Sequence, residues 1–196
     1  RMWYLLRGHD LPELETQRRS IGHSHVLAPA LRPPGEAINV ARRLTMKAAA
    51  RLRRMGYTAT YFGFAARLED GRKMGGEMRC RPAQDSPAFL AMLLAIWDRT
   101  IIRERGIAIK KISVVMLGLA DGNSIQLSLF DTSSGKAEEK LENSPRSLRL
   151  SHALDHLNHK FGRDTVLIGM LPSAGRGFSG TKIAFTRIPD REEFLE

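Results

Sequence analysis

Three histidines, His152, His156 and His159, stand four and three residues apart, a spacing that lines them up on one side of a helix and could hold a metal ion. No acid or thiol signature elsewhere completes the ligand set, so they read as a solvated polar face. "GRGFSGTK" has the flavour of a phosphate cradle without its spacing of Gly, Lys and Ser or Thr. Glu69-Asp70 occupy a turn and Glu138-Glu139 a polar stretch of linker character, so no constellation of acids is set up for two-metal work. What remains is binding chemistry. Arg18, Arg19, Arg79, Arg81, Lys110 and Lys111, with Ser20 and Gly22 between basic residues, can meet phosphate oxygens through side chains and backbone N–H groups.

The charge balance agrees. Residues 1–119 carry 21 Lys and Arg against 10 Asp and Glu, whereas residues 120–196 carry 10 against 11. A surface with that much uncompensated positive charge repels itself, which points to a polyanion, nucleic acid before membrane or acidic protein; a solvated basic surface is the plain alternative. The 196 residues and 42% hydrophobic content suffice for one ordinary domain plus something smaller. Cys80 is the single cysteine and cannot form an internal disulfide; no apolar stretch is long enough to span a bilayer, and the start has no signal-peptide pattern. A cytoplasmic location without a membrane is the expectation.

These cations need elements to position them. "RRSIGHSHVL" alternates Ile21, His23, His25 and Leu27 against Ser20, Gly22, Ser24 and Val26, a strand whose Gly22 admits another backbone. Ala37, Ala41, Leu44, Ala48, Leu52 and Met55 recur every three or four residues as one helical stripe, with Gly56 at the left-handed cap. Two β-rich runs flank Glu69-Asp70-Gly71-Arg72, and Asp-Gly there signals a hairpin. Ser86 is the expected cap of a second helix, Pro87 its first turn, and Phe89, Leu90, Leu93, Leu94, Trp97 and Ile101 its buried side. "IAIKKISVVMLGL" closes the unit as a strand. The order predicts an α+β, ferredoxin-like βαββαβ domain: a four-stranded sheet with both helices on one face and the other face bare. Single-strand recognition on such a face calls for a [K/R]-G-[F/Y]-[G/A]-F-V run that is absent, so phosphate contact is favoured. In the tail, residues 146–196, Leu150, Leu154, Leu157 and Phe161 share one helix side opposite the histidines, and two strands joined by a Gly-rich loop follow.

"QLSLF", Gln126 to Phe130, puts large apolar groups among loop residues. It is either a strand or flap covered by the domain or a peptide offered to a partner.

Arg19-Ser20-Ile21-Gly22-His23, then Arg79 and Arg81, the strand Ile107 to Leu119 and Gln126-Leu127-Ser128-Leu129-Phe130 resemble, in that order, the C-terminal part of bacterial Y-family (DinB/UmuC-like) polymerases, the enzymes of translesion synthesis. The resemblance implies a fragment: residues 1–17 as the end of a thumb and a linker, 18–119 as a little finger domain, 120–145 as a linker with a clamp-binding motif, and 146–196 as a small α/β tail. It implies DNA binding by Arg18, Arg19, Ser20, Gly22, His23, Arg79, Arg81, Lys110 and Lys111, with damaged or primed DNA as partner. It further implies docking of Gln126, Leu127, Ser128, Leu129 and Phe130 on a bacterial sliding clamp, in DNA repair and the SOS response. Nucleotidyl transfer, and the Mg²⁺ ions it uses, would belong to a palm upstream; the fragment has no catalytic or metal residues of its own and holds no cofactor. The competing expectation is a stand-alone ferredoxin-like nucleic-acid-binding module, or a structural subunit of a repair complex.

Overall fold

Ile21 is buried and Gly22 exposed where the alternating run Ser20–Val26 forms strand β1 of the computed structural model. The structure describes residues 2–12, 19–102, 106–122, 145–162 and 165–169. Ahead of β1 lies one short helical turn, α1 (Met2–Leu5), whose Trp3, Tyr4 and Leu5 are exposed. After it, a 3-10 turn at Pro29–Leu31 leads into α2 (Pro34–Arg54), which starts on a proline and buries Ala37, Ala41, Leu44, Ala48 and Leu52 along one stripe. Gly56 (φ +71°) ends it in the left-handed conformation that favours glycine.

Strands β2 (Tyr57–Leu68) and β3 (Lys73–Ala83) pair antiparallel about the Asp70-Gly71 turn, where Asp70 accepts hydrogen bonds from the Arg72 backbone N–H and Nε. Gly75 (φ +150°) lies so close to β2 that a Cβ would sit 2.1 Å from the Phe64 carbonyl oxygen. Helix α3 (Ser86–Thr100) follows, then β4 (Ile109–Leu117) and a two-residue strand β5 (Ala120–Asp121) that pairs with the start of β2. The cap of α3 differs from the sequence expectation. Asp85, not Ser86, accepts the Ala88 N–H, at 3.2 Å. Ser86 is the first helical residue, and its hydroxyl accepts instead from Arg53. Both residue types cap helices well, and only the path of the chain chooses between neighbours.

The strand order is β1-β4-β2-β3, every neighbouring pair antiparallel. Each βαβ unit is therefore split by one intervening strand, and both helices cross the same face, giving the expected α+β architecture. Ile21, Met116 and Phe62 lie side by side across three strands on that face, as do Val114 and Phe64, and meet Leu44, Leu52, Phe89, Leu93 and Trp97 from the helices. Burying each such side chain contributes about 1.5–3 kcal/mol, enough in sum to make this layer the core.

Helix α4 (Pro145–Phe161) docks on the helical layer. The Arg53 guanidinium grips Asp155 through two 2.7 Å hydrogen bonds and donates to Gln84 O, while the Ser151 hydroxyl accepts the Ser86 N–H. Of the apolar stripe expected on this helix only Leu154 is buried; Leu150, Leu157 and Phe161 are exposed. The helix is rotated so that Ser147, Ser151, Asp155 and Asn158 face its neighbours, because those groups have hydrogen-bond partners there. None of the described helices is long and apolar enough to cross a membrane.

Candidate nucleic-acid interface

Alternation leaves every second residue of the four strands on the face away from the helices. Register aligns them in rows: Ser20, Leu117, Tyr61 and Arg79; Gly22, Val115, Gly63 and Glu77; Ser24, Ser113, Ala65 and Gly75; and Val26, Lys111, Arg67 and Lys73. The first and last rows carry the cations. Six residues of strand separate them, about 20 Å, and the width from β1 to β3 is about 14 Å. Between them lies a floor of small residues, an open depression of about 350 Å³ lined by Gly63, Ala65, Gly75, Ser113 and Val115 among others. Gly22 is required to be small: a Cβ there would stand 2.8 Å from the Val114 carbonyl oxygen.

Ser20, Gly22, Arg79 and Lys111 fall on this face as their alternation dictates, and Arg81, exposed, lies two residues beyond Arg79 where the β2–β3 register shifts. Lys110 is exposed at the shift between Arg67 and Leu68, and Arg19 is exposed just before β1. Arg18 lies outside the described residues. Ser20, Gly22, Arg79 and Lys111 share a face without forming one cluster: β1 and β3 are opposite edges, and Lys111 is at the far end of the strands from Arg79.

His23 does not join them. It pairs with Val114 on the helix-covered side, its Nε2 closed off from water and without a hydrogen-bond partner. Burial, with Lys47 and Arg51 of α2 nearby, pushes its pKa down to about 4. His25, two residues on, is shifted the same way by burial and Arg43. The period-two alternation that put Gly22 on the open face already put His23 on the other, since neighbouring strand residues point to opposite sides.

Four residues of the face were missed. Arg67 and Lys73 flank the hairpin and complete the far basic row, Glu77 lies in the floor, and Tyr61 is an exposed aromatic on a central strand, 38% accessible. The Arg79 guanidinium stands 5.9 Å from the Tyr61 ring centroid, a cation–π geometry that steadies both over the near end. Their signal was the alternation within β2 and β3; which cations shared a row needed the register.

Gln126, Leu127, Ser128, Leu129 and Phe130 lie outside the described residues. The last described residue before them is Gly122, whose N–H donates to the Gly56 carbonyl at 2.7 Å. His152, His156 and His159 are exposed along α4. Among the described residues no group of three His, Cys, Asp or Glu could hold a common metal ion.

A family model described as the impB/mucB/samB family C-terminal domain matches residues 18–129. No curated protein matches the chain significantly. A Y-family DNA polymerase chimera of Dbh and Dpo4 is similar in structure at 11% identity and a TM-score of 0.45, over 60% of this chain and 34% of that one. The little finger domain of PolIV, solved in complex with the β-clamp processivity factor, is similar at 18% identity and a TM-score of 0.42, over 57% of this chain and 98% of that one. DinB from Sulfolobus solfataricus is similar at 9% identity and a TM-score of 0.42, over 59% and 33% of the two chains. The chain thus spans about a third of the length of the two polymerases.

Proposed function

The chain belongs to the impB/mucB/samB C-terminal domain family, and from that premise we infer that it is the DNA-gripping part of a Y-family, lesion-bypass polymerase. Its open sheet face holds primer–template duplex by the phosphates, and Gln126 to Phe130 dock on a bacterial sliding clamp. The observation that carries the DNA reading is the face itself: Arg79 and Arg81 toward one end, Lys111, Arg67 and Lys73 at the other, and small residues between. Cations about 20 Å apart along the strands suit the two backbones flanking a groove of duplex, with the glycine floor letting the groove approach. Nothing on this face is built to read one base sequence. Nucleotidyl transfer, with its Mg²⁺, is the work of a palm elsewhere in the polymerase; these residues orient the duplex for it.

Clamp docking fits such an enzyme. A polymerase that accepts damaged templates holds DNA weakly, and a peptide bound to a ring already on the DNA raises its local concentration at the primer end. An extended Gln-Leu-Ser-Leu-Phe segment suits this use, because Leu and Phe can enter apolar pockets while Gln makes polar contacts. The reading makes this a cytoplasmic, DNA-associated protein of the damage response.

The test is a titration of the chain with primed and unprimed duplex over a range of salt. Five face cations on phosphates predict a slope of log K against log salt of about −4.5, nearly independent of sequence. Replacing Arg79 and Arg81 with Ala should reduce its magnitude by about 1.8. A slope near zero, or one untouched by that double replacement, overturns the DNA-gripping reading for this face.

A further inference from the structure

One acid stands among the cations of the open face. Glu77 is exposed on β3, two residues from Arg79 and four from Lys73, and it faces the same side as both. Its side chain leans inward over the floor: a Cβ built on Gly63 of β2 would lie 3.4 Å from the Glu77 Cγ and 3.8 Å from its Oε1. Glu77 also lines the 350 Å³ depression with Gly63, Gly75 and Ser113. Among the described residues no Lys or Arg forms an ion pair with its carboxylate. The acid is therefore a standing negative charge over the middle of a surface whose two ends are positive.

Its distances decide what it does. Two residues of strand are about 7 Å and four are about 13 Å, and the screening length in physiological salt is about 8 Å. A phosphate drawn toward Arg79 stays outside direct contact with Glu77, but a phosphate over Gly63 would meet the carboxylate with no cation between them. The glycine floor would otherwise be the least obstructed place on the sheet for a backbone to settle, because its side chains are small.

We propose that Glu77 is a positioning residue that keeps phosphates off the centre of the sheet, so that the two strands of a duplex rest on the basic rows and the groove lies over the glycine floor. The inference rests on the DNA-gripping reading above. It adds that register across the face is set by repulsion at its middle as well as by attraction at its ends, and that binding is thereby held weaker than the cations alone would make it.

The test compares wild type, Glu77→Gln and Glu77→Asp on a fluorescein-labelled duplex of arbitrary sequence, by fluorescence anisotropy at 50 mM and 300 mM salt. Removing the charge while keeping the shape should tighten binding about two- to four-fold at the lower salt and by less than about 1.5-fold at the higher, because screening weakens the repulsion; Asp, which keeps the charge, should behave as wild type. A merely structural role would weaken binding or leave it alone. Phosphate-ethylation interference should show two separated clusters of phosphates for wild type and a filled gap for Glu77→Gln. Equal or weaker binding by Glu77→Gln, with the steep salt dependence of wild type intact, overturns the role of Glu77 and leaves the DNA reading standing. Wild-type binding without salt dependence overturns both.

Discussion

His23 should make this domain less stable in acid. His23 sits between β1 and α2 with Nε2 shut off from water, and burial together with Lys47 and Arg51 lowers its pKa from 6.5 to about 4. The folded state then refuses a proton that the unfolded chain accepts, so stability is unaffected above about pH 7, falls as pH drops below 6.5, and levels off near pH 4. The difference between 6.5 and about 4 corresponds to about 3 kcal/mol across that window, a large part of a typical domain's stability. Carboxylates titrate in the same range, so the measurement is the difference between wild type and His23→Gln. Urea unfolding at pH 7.5, 6.5, 5.5 and 4.5 should show the variant gaining on wild type by about 2–3 kcal/mol between the first and last. A difference that stays within about 0.5 kcal/mol over that range would refute the account of His23 as a buried neutral imidazole.

Three further outcomes are expected. Replacing Leu129 and Phe130 together with Ala should leave duplex affinity unchanged and abolish binding to a bacterial sliding clamp in surface plasmon resonance; retained clamp affinity rejects the docking segment. Gly75→Ala should cost about 3 kcal/mol or more in thermal or urea unfolding, since a Cβ would overlap the Phe64 carbonyl oxygen at 2.1 Å and the backbone φ is +150°. Asp155→Ala leaves the Arg53 guanidinium, only 2% exposed, without its carboxylate; the cost should be about 2 kcal/mol, after allowing for the partial exposure of Asp155. The amides of α4 should then exchange with solvent faster than those of β2 and β4.

Much of this fold can be read in short windows. The alternation of Ser20–Val26, the stripe from Ala37 to Leu52 and the Asp70-Gly71 turn each state their element within a dozen residues, and each formed as read. The misreadings occur where two neighbours are chemically equivalent or where a partner is distant. Asp85 and Ser86 are both good caps, and α4, approaching from about sixty residues away, engages Ser86 through Ser151. The leucines of α4 suggest an apolar contact, yet the docking groups are Ser151 and Asp155, since Arg53 is buried and needs an acid. At the candidate site, the family resemblance groups His23 with its basic neighbours, although strand geometry turns it away from them.

The amino-acid sequence by itself determined that each strand has one apolar and one polar side, that two helices cover the apolar sides, and that the excess positive charge lies in the first 119 residues. These are consequences of period and composition, which act over a few residues at a time. Only the tertiary structure decided the order β1-β4-β2-β3, and with it that Arg79 and Lys111 occupy opposite ends of one face, that Arg67 and Lys73 join Lys111, and that Glu77 stands in the middle. Strand pairing is settled by contacts between segments tens of residues apart, through the fit of Phe62, Phe64, Val114 and Met116 beneath the helices; no local pattern encodes which polar side chains that fit makes neighbours.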